Sequence, residues 1–218
     1  MILTSQWGTH LDRLGFGQDI YFSESYLRLA AGLGETPECF VYEEKDEFFL
    51  FPYIKKPVSI LDQEAYDFES AYGYGGPLTN SMDRGFISRA VQEMFIEMRR
   101  SKLIAGFIRF HPLLANEEIF AGQKDIHVLF DRKTVFMDLS VGQEVLWKEH
   151  LHPKHRNAIR EAENSGLLFE IDEELRLLDQ FKMLYFETMD RVGADRYYFF
   201  DDRYFDALKS LGKNVFIA

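Results

Sequence analysis

Two stretches carry residues whose types and spacing could do chemistry. The first is His150-Leu-His-Pro-Lys-His-Arg-Asn-Ala-Ile-Arg160. Between positions 148 and 160, Lys148, Lys154, Arg156 and Arg160 stand against the single carboxylate of Glu149, in a chain of net charge −11. Pro153 suits a first helical position, so the cluster reads as a helix start. Arg156 and Arg160 are then i,i+4 neighbours on one face. The free N–H groups and positive dipole of a helix start disfavour cations unless an anion binds. A phosphate or carboxylate held by Arg156 and the first-turn amides is the chemistry this placement would serve. A solvated basic face, salt-bridged to the acidic remainder, is the plainer reading of the same residues. His150, His152 and His155 flank Pro153 at a spacing that does not bring three imidazoles to one face. With no Cys or carboxylate trio beside them, no metal is expected.

The second stretch is Tyr66-Asp-Phe-Glu-Ser-Ala-Tyr-Gly-Tyr-Gly-Gly-Pro-Leu-Thr-Asn80. Neither a helix nor an ordinary strand suits that mixture. Gly73, Gly75 and Gly76 permit positive φ and close backbone approach, and Pro77 biases Gly76 away from the helical region. A constrained aromatic loop between two well-patterned blocks reads as a binding wall. Tyr72 and Tyr74, two residues apart, would share one side of it if the segment is extended. The competing reading is a structural turn whose tyrosines pack on the core.

Length and composition bound what these stretches can belong to. The chain has 218 residues, enough for one large or two small domains, and is 46% hydrophobic. Its 21 Phe and 11 Tyr suggest sheet and aromatic-walled clefts. The acidic balance argues against non-specific binding to nucleic acid or to an anionic membrane. Cys39 is the only cysteine, which forbids an intramolecular disulfide and suggests a reducing compartment. Beside Phe40 and Val41, it reads as a buried strand residue. The start lacks a basic-then-apolar leader, and apolar runs fall far short of the roughly 20 residues of a membrane span. A soluble cytoplasmic protein is expected.

The elements that must position both stretches follow from periodicity. A short amphipathic helix is expected within 20–33, then a hairpin of 39–42 and 48–54 around a charged turn at 43–47. Pro52 and Pro57 mark an edge or the end of that ladder. Asn80, Ser81 and Asp83 offer N-caps for a helix whose face is Ile87, Ala90, Val91, Met94 and Met98. A strand over 104–110 and a second hairpin of 126–130 and 134–139 complete a first block. The pattern then restarts: a helix from Pro153 closed at Gly166, a strand over 167–171, and a helix through Leu178, Phe181, Tyr185, Thr188 and Val192. A last helix ends at Gly212, and 215–218 opens a strand. The fold class is α/β (α+β), a mixed sheet with flanking helices, with domains expected at 1–146 and 147–218.

Three segments resemble the FemABX transferases, in particular their GNAT-like, acetyltransferase-like branch. Tyr72-Gly-Tyr-Gly-Gly-Pro-Leu-Thr-Asn80 resembles that family's Pro-Arg-Gly-Pro-type loop. His152-Pro-Lys-His-Arg-Asn-Ala-Ile-Arg-Glu-Ala162, followed by Gly166, resembles its basic helix start. Phe186-Glu-Thr-Met-Asp-Arg191, with Tyr197-Tyr-Phe-Phe200 and Tyr204-Phe-Asp-Ala-Leu208, resembles its second-domain segment. The resemblance covers residues 66 to 208. It implies two GNAT-like domains, the second incomplete here, and acyl transfer to an amine, acetyl or aminoacyl, without a covalent enzyme intermediate. Such a reaction needs positioning, an oxyanion donor and a proton acceptor more than a nucleophile. The implied donor is acyl-CoA or aminoacyl-tRNA, and the acceptor a small molecule or peptide with phosphate or carboxylate groups, such as a cell-wall precursor. The implied substrate-binding set is Tyr72, Tyr74, Gly75, Gly76, Asn80, Lys154, Arg156, Asn157, Arg160, Arg191 and Tyr198. Arg156 and Arg160 would hold acceptor phosphates, and Tyr72, Tyr74 and Asn80 would wall the groove.

Two departures qualify it. The family's loop Arg is replaced by Gly75 or Gly76. Ser70-x-x-Gly73-x-Gly75 keeps the glycines of a GNAT pyrophosphate loop without its leading Arg or Gln, so it reads as acceptor loop and leaves the donor and the catalytic base unassigned. Acceptor binding without turnover is therefore expected of these 218 residues. The strand opening at 215–218 would lie on an existing edge, self-associate with another chain, or stay exposed. Two other function classes compete: a non-catalytic phosphosugar- or anion-binding module without a donor half, and a structural α/β protein.

Overall fold

In the computed structural model, residues 2–4, 6–14, 19–60 and 63–218 are described, and the chain divides into two compact units. The first comprises Met1–Val128 and Asp195–Val215, the second Leu129–Ala194 and Phe216–Ala218. This division differs from the boundary expected at residue 146. The chain leaves the first unit at 128 and returns to it at 195.

In the first unit, strand β1 (Ile2–Thr4) and helices α1 (Gly8–Arg13) and α2 (Glu24–Ala30) precede a hairpin of β2 (Thr36–Glu44) and β3 (Glu47–Ile60). Strands β4 (Gln63–Glu69) and β5 (Leu78–Thr79) follow, then helix α3 (Arg84–Arg100) and strand β6 (Leu103–Phe107). The described strands make one mixed sheet in the order β1-β2-β3-β4-β6, with β5 beside β3. All pairings are antiparallel except β4 with β6, which is parallel and crosses over through α3. The fold is mixed α/β, as expected.

Strand β3 organises this unit. Phe49, Phe51 and Tyr53 face one core with Phe40, Leu103, Phe120 and the buried face of α3: Phe86, Ala90, Val91, Met94 and Met98. Phe48, Leu50 and Ile54 point the opposite way, into a second core with Trp7, Phe22, Leu27, Cys39 and Val41. Period-2 alternation explains the split, and helices on both sides explain why the run is apolar throughout. Each such side chain contributes roughly 1.5–3 kcal/mol by leaving water. Both prolines sit where β3 has a neighbour on one side only. Pro52 pairs with Cys39 of β2 and faces the gap between β5, which ends at Leu50, and β4, which begins at Ile54. Pro57 pairs with Tyr66, beyond the end of the β2 ladder at Lys55. A missing N–H is tolerated at such places. The hairpin turn is tighter than expected, Lys45–Asp46 alone, with Lys45 at φ 55°.

The second unit is helical. Helix α4 (Gln143–Val145) runs into a π-helical stretch, Leu146–His150, then come α5 (Pro153–Asn164) and α6 (Leu178–Val192). Gly166 at φ 74° follows α5, as expected, and Gly193 at φ 62° closes α6 in the same left-handed way. The expected hairpin of 126–130 and 134–139 and the expected strand over 167–171 are not strands here. Among the described residues they have no ladder partner, and β-propensity alone does not hold a strand. The strand expected at 215–218 is reduced to one antiparallel bridge, Ile217 with Asp172. The chain re-enters the first unit with α7 (Asp202–Leu208), which packs on α2 and buries Phe205.

Candidate functional site

The Tyr/Gly loop fills the gap left beside β3. β4 leaves that edge at Glu69 and β5 rejoins it at Leu78. The chain between them stays fastened to the segment after β6. Ser70 N–H donates to the Phe107 carbonyl (3.0 Å), Arg109 N–H to Ser70 Oγ (3.1 Å) and Gly75 N–H to the Arg109 carbonyl (2.8 Å). Residues 71–74 therefore project from a continuing parallel pair. Gly73, at φ 109°, allows this: a Cβ there would stand 2.3 Å from the Tyr21 ring. Gly75 has no positive φ, contrary to one way of reading the loop. It is needed because a Cβ would come within 2.7 Å of the Ser70 Cβ. Buried Asn116 ties the base of the loop. Its amide nitrogen donates to the carbonyls of Gly75 (2.9 Å) and Pro77 (3.2 Å), and its oxygen accepts from His111 N–H (3.1 Å). Nothing in the spacing around Asn116 announces this role.

The two loop tyrosines do not share a wall. Tyr72 is exposed and its ring meets those of Tyr197 and Phe200, while Tyr26 donates from its hydroxyl to the Tyr72 carbonyl (2.8 Å). Tyr74 turns inward, edge-on to Tyr21 and to His111, each with ring centroids 5.4 Å apart. Gly73 between them is not extended, so the alternation that would align them does not apply. His111 is held in place beside Tyr74. Its Nε2 meets Asp19 at 2.6 Å and its Nδ1 accepts from Leu113 N–H at 3.2 Å, so both nitrogens are taken. Asn80 ties backbone to backbone. Its oxygen accepts from Phe48 N–H and its nitrogen donates to the Asp46 carbonyl, pinning the chain before α3 to the hairpin. Tyr198 lies against Tyr197, whose ring also meets Tyr72, so these parts of the expected set do come together.

Beside the loop lies a groove of about 470 Å³, over the ends of β3, β4 and β6. Its lining includes Glu35, Lys56, Asp67, Glu69, Ala105 and Phe107. Lys56 Nζ lies 3.3 Å from Glu35 and 2.9 Å from Glu69. Burial lowers the Lys56 pKa, but hydrogen bonding to Glu69 and the two carboxylate charges outweigh it, and the net direction is upward. Tyr197 stands close enough that burial and then the Glu69 charge raise its phenol pKa. No sequence motif marks the groove residues. Their only signal is Asp67 and Glu69 two apart on a strand, opposite Lys56.

The basic cluster is in the second unit, and its geometry removes the argument for an anion at Arg156. The Arg156 Nη1 donates to the carbonyls of Trp147 (2.9 Å), Lys148 (3.0 Å) and Leu151 (2.8 Å). The Arg156 charge at the start of α5 thus serves the carbonyl end of the preceding helical stretch, where a cation is favoured. Arg160 lies over the Trp147 ring at 5.5 Å, with Nη1 3.4 Å from Asn157 Oδ1. Lys154, Asn157 and Arg191 are exposed. His152 Nδ1 accepts from Lys154 N–H as the α5 N-cap. Among the described residues no group of three or more His, Cys, Asp or Glu is placed to hold a metal, and no helix is long and apolar enough to cross a membrane.

No family model matches the chain, and comparisons with curated proteins and with solved structures return no match.

Proposed function

We propose that the chain works in N-acyl transfer, as a GNAT-like protein of the FemABX kind, with its first unit binding the acyl acceptor. One observation carries the reading. An antiparallel meander passes through a loop and a crossover helix into a strand parallel to β4, and a groove opens at the carboxyl ends of β4 and β6. Ligands of open α/β sheets bind in such crevices. The groove supplies carboxylates that could receive the proton an attacking amine sheds, and the exposed Tyr72 and Tyr197 border its Glu69 end. The donor, acyl-CoA or aminoacyl-tRNA, has no seat at the start of α3, because Asp83 already caps it by accepting from Gly85 N–H (2.8 Å). A pyrophosphate would meet that carboxylate.

The same capped helix start favours a second reading, a binding module that does not catalyse. Transfer assays with acetyl-CoA and with charged tRNA, each offered a primary amine, separate the two. Acylated amine that disappears with Glu69→Gln supports the first reading. No acylation with either donor, while the amine still binds, leaves the second.

A further inference from the structure

Strand β6 ends the sheet, and among the described residues no strand lies on its far side. On the near side, Ser70 and Gly75 N–H groups donate to the carbonyls of Phe107 and Arg109. Successive residues of an extended chain turn their peptide groups to opposite sides, so Gly106 and Ile108 present theirs to the open edge. Such an edge is a template for another strand, and proteins blunt it with short strands, charge, proline or bulges. Elsewhere the described sheet does so. β1 and β5 are three and two residues long, and Pro52 and Pro57 sit where β3 lacks a neighbour. β6 has no such protection: no charge or proline lies between Lys102 and Arg109. Its one irregularity, a register shift against β4, falls at its start, between Leu103 and Ala105. Ile104 is 53% and Phe107 62% exposed.

We infer that β6 pairs antiparallel with β6 of a second copy of this chain, about a two-fold axis at Gly106. The edge is complementary to itself, as an isologous contact requires. With Gly106 opposite its own mate, the outward peptide groups of Gly106 and Ile108 meet outward groups of the partner. Ala105 then stands opposite the partner subunit's Phe107, a small side chain against a ring, and Ile104 opposite the partner subunit's Ile108. Arg109 falls opposite Leu103, so no like charges face each other across the pair. Ala105, Gly106 and Phe107 also line the groove, so the partner subunit's Phe107 extends its wall. The edge 104–108 is too short to bury the roughly 800 Å² per partner of a stable interface, so the dimer exchanges with monomer. The pairing does not depend on acyl transfer.

Sedimentation of the full chain from micromolar to millimolar concentration should show a reversible monomer–dimer equilibrium. Phe107→Lys brings a charge to the edge in both copies and should weaken the dimer about tenfold or more, with the circular dichroism unchanged. Val135→Lys, at a residue 99% exposed in the second unit, should dimerise as the parent does. The register has its own readout. Residues flanking a hydrogen-bonded antiparallel pair stand opposite their partners at a Cα separation of about 4.5 Å, within reach of a disulfide. A mixture of Ala105→Cys and Phe107→Cys chains should therefore cross-link on oxidation to each other in preference to themselves, while Cys39 is buried and takes no part. That cross-link decides the matter even where Phe107→Lys fails to fold. Four results would each overturn the inference: a monomer at every concentration, dimerisation unchanged by Phe107→Lys, dimerisation lost in Val135→Lys, or self-cross-linking as efficient as mixed cross-linking. None of these readouts involves acyl transfer, so loss of the transfer reading alone leaves the pairing standing.

Discussion

Phe48 to Ile54 in the first unit and Val135 to Leu139 in the second are built from the same kinds of residue. Phe49 and Phe51 are no more than 1% exposed, whereas Val135 is 99% and Phe136 68% exposed. The difference lies in the neighbours. β3 has β2 along one side, β4 and β5 along the other, and a helical layer over each face. The stretch 129–139 has no ladder partner among the described residues. Aromatic and β-branched residues stabilise a strand through cross-strand and facing contacts, so without them the same side chains stay in water. Phe40, Phe51, Phe86 and Trp7 hold the first unit, while the buried apolar residues of the second are Leu175 and Leu178.

Paired substitutions test that contrast. Phe51→Ala should cost about 3–5 kcal/mol in urea unfolding, the range for a buried aromatic, whereas Phe136→Ala should stay within about 0.5 kcal/mol. Equal losses would mean that 129–139 is covered in solution. Asn116→Ala comes next. It strands the Gly75 and Pro77 carbonyls and the His111 N–H, and the loss should be roughly 1–3 kcal/mol for each group left unpaired. Asn157→Ala, on the exposed face of α5, should cost little by the same measurement.

Arg156→Ala should cost about 1–3 kcal/mol through the three carbonyls it leaves. Inorganic phosphate should not raise the melting temperature of the parent more than that of this variant. A phosphate shift that only the parent shows would restore the anion site.

The smallest effect expected is on acid stability. Hydrogen bonds from Arg89 and then Tyr42 hold the Glu44 carboxyl at about 2, below its ordinary 4.5. A carboxylate whose folded pKa is lowered adds stability above its unfolded pKa and loses it as pH falls through the folded one. The Glu44 contribution is therefore complete above pH 4.5 and fades toward about pH 2. Stability measured across that window should fall less steeply for Glu44→Gln, and an identical slope would show that the pair is not formed in solution.

Much of the first unit is legible in residue order. The α3 face and the β2–β3 hairpin follow from periodicity, and in the second unit the Gly166 stop follows from glycine's tolerance of positive φ. The site is less legible. The basic cluster at 148–160 draws the eye because charge at a helix start is a local property. That Arg156 caps the preceding turn depends on where three carbonyls lie in space. Asp67, Glu69 and Lys56 meet only through the β3–β4 register, and Asn116 reaches Gly75 across 41 positions. Tyr72 and Tyr74 diverge because Gly73 breaks the extended geometry that would have aligned them.

The central claim is that ligand binds the groove and loop of the first unit rather than the basic helix start of the second. Photolabelling of the full chain with a diazirine-bearing alkylamine, followed by peptide mapping, tests it most directly. The account predicts label within 56–72 and 103–109, competed away by N-acetyl-lysine amide. Competable label concentrated within 148–160 would contradict it.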